Sequence, residues 1–202
     1  MQKAGSWNIS IDVPYSVLLA LYIRDAFRLQ PQVTPLLPPL EPSINALDIS
    51  TTDQEEQEER EHITRQWEFW WQHLLVSSST RELERAMLND TILGGVSQVT
   101  ELQAMFQRCA SKATSWIQTR KQEIAMTLKQ CARRRIEIEV VQEVLQKRGG
   151  SRAFDSVEIW VVPCTDKDVW DVTPTRAFMS ETFYLDAIAY RQWLKRIIIS
   201  LV

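Results

Sequence analysis

Glycine is scarce in this chain, which has only five glycines among its 202 residues. Four of them form the pairs Gly94-Gly95 and Gly149-Gly150, and neither pair lies in a GxGxxG or GxxxxGK pattern. Those patterns let backbone N–H groups approach a phosphate closely, so their absence argues against the common nucleotide-binding folds.

Cysteine is also scarce, with three widely spaced residues, Cys109, Cys131 and Cys164. No two of them form a CxxC pair, which argues against a zinc ribbon. Few, scattered cysteines are typical of a reducing compartment, so we predict a cytoplasmic protein.

Histidine is nearly absent, since the chain has only His62 and His73. Glu58 and His62 are spaced i, i+4 and together would offer two metal ligands. His73 follows His62 by eleven residues, about 16 Å along a helix, so the two imidazoles cannot share one ion. The sequence therefore predicts neither a metal site nor a cofactor.

Long hydrophobic runs are missing as well. The apolar run Val17–Ile23 is followed at once by Arg24, and a helix that spans a bilayer needs about 20 apolar residues. We therefore expect no membrane partner, and we expect no signal peptide at the N-terminus.

Alternating apolar and polar residues predict strands near both ends of the chain. Trp7–Val13 has this pattern, Val157–Val162 forms an apolar run that Pro163 ends, and Arg176–Met179 is a third candidate. We predict that residues 7–13, 156–163 and 175–179 form a small antiparallel sheet, which brings the ends of the chain together.

Helical periodicity dominates the rest of the sequence. The pattern predicts helices over residues 14–29 and about 55–77, a short helix after Ser79, one long helix over about residues 100–132, a break after Arg135, and a final helix after Ser180. The predicted fold is therefore a helix-dominated α+β domain with several helices packed on the sheet.

Proline is concentrated in one stretch, where five of the eight prolines fall between Pro31 and Pro42. Such a stretch forms neither a regular helix nor a central strand. With the acidic residues that follow, it predicts a flexible segment at about residues 31–56. We interpret residues 1–202 as a single domain, because the piece before this segment is too small to hold its own core.

Charge is sorted into blocks. From Asp53 to Glu61 six of nine residues are acidic, whereas from Arg108 to Arg135 eight basic residues accompany the single acid Glu123. Such blocks are usually solvated faces or interaction surfaces.

Tryptophan is unusually frequent for a chain of this length, with eight residues. Three of them lie close together on one helical turn: Trp67, Trp70 and Trp71. Core burial explains one or two of these indoles easily. Tryptophan is also enriched at interface hot spots, so we expect some of the three to anchor a partner.

Two features of the C-terminal part would suit an enzyme. Cys164 follows a strand, a common place for a nucleophile, but a thiolate needs a nearby base such as histidine. Asp166, Asp168 and Asp171 could bind a divalent cation through oxygen ligands, although the EF-hand pattern is absent. A buried thiol and a solvated turn explain both features without chemistry.

The sequence favours a non-enzymatic cytosolic interaction module, of the adaptor, inhibitor or immunity, or assembly-subunit type. We predict that Trp67, Trp70 and Trp71 anchor a protein partner and that Glu55, Glu58, Glu59 and Glu61 steer a basic one. A homo-oligomer is compatible with the same surface. The alternative is a nucleic-acid-binding protein that uses Lys121, Lys129, Arg133, Arg134 and Arg135 on the basic helix 108–135. An enzyme that uses Cys164 or the Asp166–Asp171 loop is the third hypothesis.

Overall fold

The computed structural model describes residues 7–47, 53–76, 100–131, 135–147 and 156–202, with the backbone alone for 53–57 and 100. These residues form six helices and four strands, so the predicted helix-dominated α+β fold is confirmed. In chain order the elements are β1 (Ile9–Asp12), α1 (Tyr15–Ala26), α2 (Asp53–Val76), α3 (Thr100–Cys131), α4 (Ile136–Lys147), β2 (Val157–Val162), β3 (Val169–Thr173), β4 (Arg176–Ser180), α5 (Glu181–Leu185) and α6 (Ala187–Leu201).

The chain divides into two compact units. The helical unit is Pro14–Gln122, and the sheet unit consists of Met1–Val13 with Glu123–Val202. The interpretation of the whole chain as one domain stays a prediction. The short helix predicted after Ser79 lies outside the described residues.

Helix α1 is the central element of the helical unit. Its side chains are buried on almost every side, as its nearly unbroken apolar sequence predicts, and Leu18, Leu19, Ala20 and Leu21 are fully buried. Pro14 occupies the N-cap position, where a missing N–H is tolerated. Phe27 and Arg28 end the helix, and Arg28 has a left-handed backbone with φ 51°.

The proline-rich residues 31–47, which we call the strap, are tied to the C-terminal end of α1. The buried guanidinium of Arg24 donates through Nη1 to the carbonyl of Leu37 and through Nη2 to that of Pro38. It also pairs with Asp25 at 2.7 Å, and Asp25 Oδ2 accepts the N–H of Leu40. The sequence predicted a flexible segment at about 31–56; these contacts hold its first part, and α2 already begins at Asp53.

Helices α2 and α3 bury the apolar faces that their periodicity predicts. On α2, Ile63, Trp67, Trp70, Trp71 and Leu74 are at most 2% exposed. On α3, the stripe from Leu102 to Cys131 is buried apart from the half-buried Leu128. The predicted break is also confirmed, because Arg135 has a left-handed backbone with φ 53° and α4 begins at Ile136.

The sheet has the strand order β1-β2-β4-β3 and is mixed. The prediction of an antiparallel sheet is wrong for two pairings, because β1 and β4 both run parallel to β2. Only β3 and β4 pair antiparallel. Residues 163–168 carry the chain past β4, so that β3 lies at the edge and β4 returns between β3 and β2. Apolar alternation identifies a strand but does not encode its direction, which explains the error.

The two faces of the sheet differ in chemistry. On one face Trp193 and Ile197 of α6 lie close to Val157 and Ala177, which makes this face a core of the sheet unit. On the other face Trp160 contacts Phe178, with ring centroids 5.3 Å apart. Arg176 stacks its guanidinium 4.6 Å from the Trp160 ring and pairs with Glu158 at 2.7 Å. Because the guanidinium of Arg176 both stacks on a ring and pairs with a carboxylate, its charge is compensated at this half-buried position.

Two caps shape the C-terminal helices. Ser180 accepts the N–H of Phe183 through its hydroxyl and starts α5, as the sequence predicts. Asp186 then accepts the N–H groups of Ile188 and Ala189 and starts α6. The predicted single final helix is therefore two helices, because the second cap interrupts it.

Ion pairs join α4 to α6 at the surface of the sheet unit. Glu143 of α4 contacts Lys195 at 2.6 Å and Arg191 at 3.3 Å, and Arg191 also contacts Glu139 at 2.7 Å. Beneath them the phenol of Tyr190 donates to Glu137 at 2.8 Å. Burial, followed by the nearby Glu137 carboxylate, raises the pKa of Tyr190 far above its ordinary value, so this phenol stays protonated.

We expect the sheet unit to lose stability in acid through Glu143. Hydrogen bonds from Lys195 and then Lys147 lower the pKa of Glu143 from 4.5 to about 2. Because the folded value is the lower one, the stabilisation is complete above pH 4.5 and is lost as the pH falls towards 2. The Glu143→Gln variant should therefore have a lower Tm than the parent protein at neutral pH, and the gap should close near pH 2. Thermal unfolding followed by circular dichroism across this range checks the result; a gap that does not depend on pH would contradict it.

Candidate functional site

The three tryptophans predicted as partner anchors lie in the core. Trp67, Trp70 and Trp71 are each 1% exposed, so no partner can contact them on the surface of this structure. Their burial has a simple physical cause. Their spacing puts all three on the same face of α2 as Ile63 and Leu74, and that face packs inward.

Trp67 connects α2 to α1. Its indole N–H donates to the carbonyl of Ala20 at 2.7 Å, and its ring stacks on Trp71 with centroids 5.2 Å apart and planes 13° apart. Such pairs add about 0.5–1.5 kcal/mol to the burial of the rings. The crowded indoles therefore hold the helical unit together.

Glu58 and Glu61 lie on the side of α2 opposite its buried face, whereas Glu59 precedes the buried Ile63 by four residues and lies nearer that face. Glu58, Glu59 and Glu61 are exposed, whereas Glu55 lies in the part of α2 for which only the backbone is described. Arg65 is the exposed cation on the same side of the helix. Glu58, Glu61 and the half-buried Glu68 outnumber Arg65 on this side, so it is net negative and would attract a basic partner.

Two exposed apolar side chains, which were not among the predicted site residues, continue this surface. Phe69 is 47% exposed and Val76 is 78% exposed. Phe69 follows Glu58 by eleven residues and Val76 follows Phe69 by seven, which places all three on one stripe of a helix. A helical wheel of α2 already puts Phe69 and Val76 opposite the apolar face, so the signal was present in the sequence. We call this stripe, with Glu61 beside it and the exposed Glu59 at its margin, the α2 outer face.

Polar contacts fix the middle of α2 against the start of α3. Gln66 accepts the N–H of Leu102 at 3.0 Å through Oε1, and this satisfies one of the N-terminal N–H groups of α3. Gln66 Nε2 donates to Glu101 and lies 3.1 Å from the imidazole of His62. His62 and Glu101 are 3.7 Å apart and about half exposed, so their mutual attraction is weak.

The basic residues predicted for nucleic-acid binding are only partly described. Lys129 and Arg135 are exposed, Lys121 is half-buried, and Arg133 and Arg134 lie outside the described residues. Two further cations of α3, Arg108 and Lys112, are exposed, and residues 102–122 include no acid.

The residues considered for catalysis or metal binding are buried or lie in contacts within the fold. Cys164 is 4% exposed at the end of β2. Asp168 accepts the N–H of Val169 through its side chain, and Asp171 belongs to β3, where it lies 3.9 Å from Arg196. Within the described ranges, no three His, Cys, Asp or Glu side chains are grouped so that they could hold a metal ion. Burial raises the pKa of the Cys109 thiol to about 11, which disfavours a reactive thiolate there.

None of the helices among the described residues is both long and apolar enough to cross a membrane.

Comparison with protein-family models, with curated proteins and with solved structures found no match to this chain.

Proposed function

We propose that this chain is a non-enzymatic, cytosolic protein-interaction module that binds a basic partner through the α2 outer face. One observation carries the proposal: the exposed side of α2 has acids in its N-terminal half and the exposed Phe69 and Val76 in its C-terminal half. An exposed aromatic and an exposed aliphatic side chain on a net negative side of a helix offer a partner apolar contacts bordered by charge.

The length of this face sets the length of the partner helix that it would bind. Glu58 and Val76 are 18 positions apart, and that span corresponds to about 27 Å along a helix. A basic amphipathic helix of similar length would place its cations against the acids and its apolar residues against Phe69 and Val76.

We expect the acids to control how fast such a partner binds. Glu58→Gln, Glu59→Gln and Glu61→Gln together should slow association about tenfold at low salt, because steering by exposed charges acts on the association rate. The difference should shrink near 1 M salt, where the Debye length is about 3 Å. A fluorescein-labelled Lys/Leu amphipathic peptide of about 18 residues is the probe, and stopped-flow anisotropy is the measurement.

The matched control removes three charges elsewhere, through Glu41→Gln, Glu123→Gln and Asp166→Asn, at positions that are exposed and lie off the α2 outer face. The control should associate at the rate of the parent protein. Equal slowing of both triple variants would mean that only net charge matters, and the proposal would fail.

The second candidate function is nucleic-acid binding, and the exposed cations of α3 favour it. Arg108, Lys112 and Lys129 are exposed, and a protein that neutralises phosphates with such residues binds less tightly as salt rises. Labelled single- and double-stranded DNA measured beside the peptide separates the two functions. Arg108→Gln with Lys112→Gln should weaken DNA binding if α3 is the interface and should leave peptide binding unchanged if the α2 outer face is.

A further inference from the structure

A pocket of about 330 Å³ lies in the helical unit, between the last turn of α1 and the strap. Its volume is at the lower end of the range for small-molecule sites, about 300–1,000 Å³. The lining residues come from the end of α1, from residues 28–30 that follow it, and from the strap: Arg24, Asp25, Arg28, Leu29, Gln30, Pro39, Leu40, Ser43 and Ile44. We call it the strap pocket.

The charges in the strap pocket do not cancel. Arg24 and Asp25 pair with each other, and Asp25 also accepts the Leu40 N–H. The third charged group, Arg28, is exposed, and no carboxylate of the described residues lies within ion-pair distance of it. The lining therefore presents one guanidinium whose charge the described residues leave uncompensated.

The rest of the lining is largely apolar. Leu40 is fully buried and Leu29 is 6% exposed, so the apolar surface that a ligand can reach comes mainly from the exposed Pro39 and the half-buried Ile44. A ligand that fills this pocket would place an apolar body against Pro39 and Ile44 and an anionic head at Arg28.

We propose that the strap pocket binds a small organic monocarboxylate with a short apolar body. A planar guanidinium matches a carboxylate through paired N–H donors. A phosphate dianion fits less well, because the Asp25 carboxylate forms part of the same wall and would repel a second negative charge. This site is separate in residues and in ligand charge from the α2 outer face, and it does not depend on the proposed function.

Four small probes test the chemistry of the strap pocket. Hexanoate has both the carboxylate and the apolar chain, whereas acetate has the carboxylate alone. Hexanamide has the apolar chain without the charge, and inorganic phosphate is an anion of a different kind. Titration of the isotope-labelled protein, followed by amide chemical shifts, should show hexanoate binding at least about tenfold tighter than each of the others. The shifted amides should belong to residues 24–30 and 39–44. Equal affinity for hexanamide, tighter binding of phosphate, no saturable hexanoate binding, or shifts elsewhere would overturn the proposal.

Variants at the mouth of the strap pocket test the residues. Arg28→Asn keeps a side chain that tolerates the left-handed backbone and removes the charge, so hexanoate should bind at least about tenfold more weakly. Ser43→Glu adds a carboxylate at an exposed lining position and should weaken binding in the same way. Arg65→Gln removes an exposed cation outside the pocket and should leave the affinity unchanged. Hexanoate binding that survives both pocket variants, or that Arg65→Gln weakens equally, would contradict the site.

Discussion

Replacement of Trp67 by alanine should destabilise the helical unit more than any exposed substitution on α2. The side chain is 1% exposed, stacks on Trp71 and donates to the Ala20 carbonyl. Truncation of a buried tryptophan leaves a cavity and typically costs about 3–5 kcal/mol. Trp67→Phe keeps most of the ring and loses the hydrogen bond, so a smaller loss of about 1–2 kcal/mol is expected.

Urea unfolding followed by circular dichroism measures both effects. Phe69→Ala is the matched control, because it truncates an aromatic residue of the same helix that is 47% exposed. The control should lose about 1 kcal/mol or less. If Trp67→Ala and Phe69→Ala were equally stable, the assignment of the tryptophans to the core would be wrong.

Replacement of Arg24 by methionine should release the strap from α1. Arg24 is 5% exposed and donates to Asp25 and to the carbonyls of Leu37 and Pro38. Removal of one partner from a buried ion pair costs about 3–5 kcal/mol, because it leaves the other charge without compensation. The double variant Arg24→Met with Asp25→Asn removes that lone charge while an amide oxygen can still accept the Leu40 N–H, so part of the loss should be recovered.

Limited proteolysis separates release of the strap from general unfolding. Thermolysin cuts before leucine and isoleucine, so Arg24→Met should accelerate cleavage between residues 31 and 47 under conditions in which the rest of the helical unit stays resistant. Arg28→Met replaces the exposed neighbouring arginine and should have little effect on cleavage or stability. Equal protection of the strap in the parent protein and in Arg24→Met would show that these hydrogen bonds do not hold it.

Periodicity predicted the elements of this fold well, and α2 shows why. Its apolar residues recur at helical spacing, so the buried face from Ile63 to Leu74 could be identified from the sequence alone. The same pattern identified the buried stripe of α3. The start of a helix after Ser180 was equally predictable, and the Ser180 hydroxyl accepts the N–H of Phe183.

Other features depend on contacts between residues far apart in the chain, and local patterns do not encode them. The parallel direction of β1 and β4 beside β2 is one such feature. The role of Arg24 is another, because a charged residue at a helix end gives no sign that two carbonyls 13 and 14 residues later will accept its N–H groups. Both features are set by tertiary packing, which overrides local preference.

The candidate site was half predictable. The acids Glu58, Glu59 and Glu61 were identified from the charge block and are exposed. The three tryptophans were predicted to contact the partner because tryptophan is frequent in this chain. Their spacing on the helical wheel instead places them on the buried face of α2. Phe69 and Val76, which lie opposite them, take the place of apolar anchors in the proposal.

The proposed function requires the α2 outer face to bind a basic amphipathic partner. The most direct test is a chemical-shift map of the isotope-labelled parent protein titrated with the Lys/Leu peptide, with a peptide of the same composition in scrambled order as reference. We predict saturable shifts concentrated between Glu58 and Val76, tighter for the amphipathic peptide than for the scrambled one. Shifts spread over all acidic surfaces, or equal affinity for both peptides, would contradict the account.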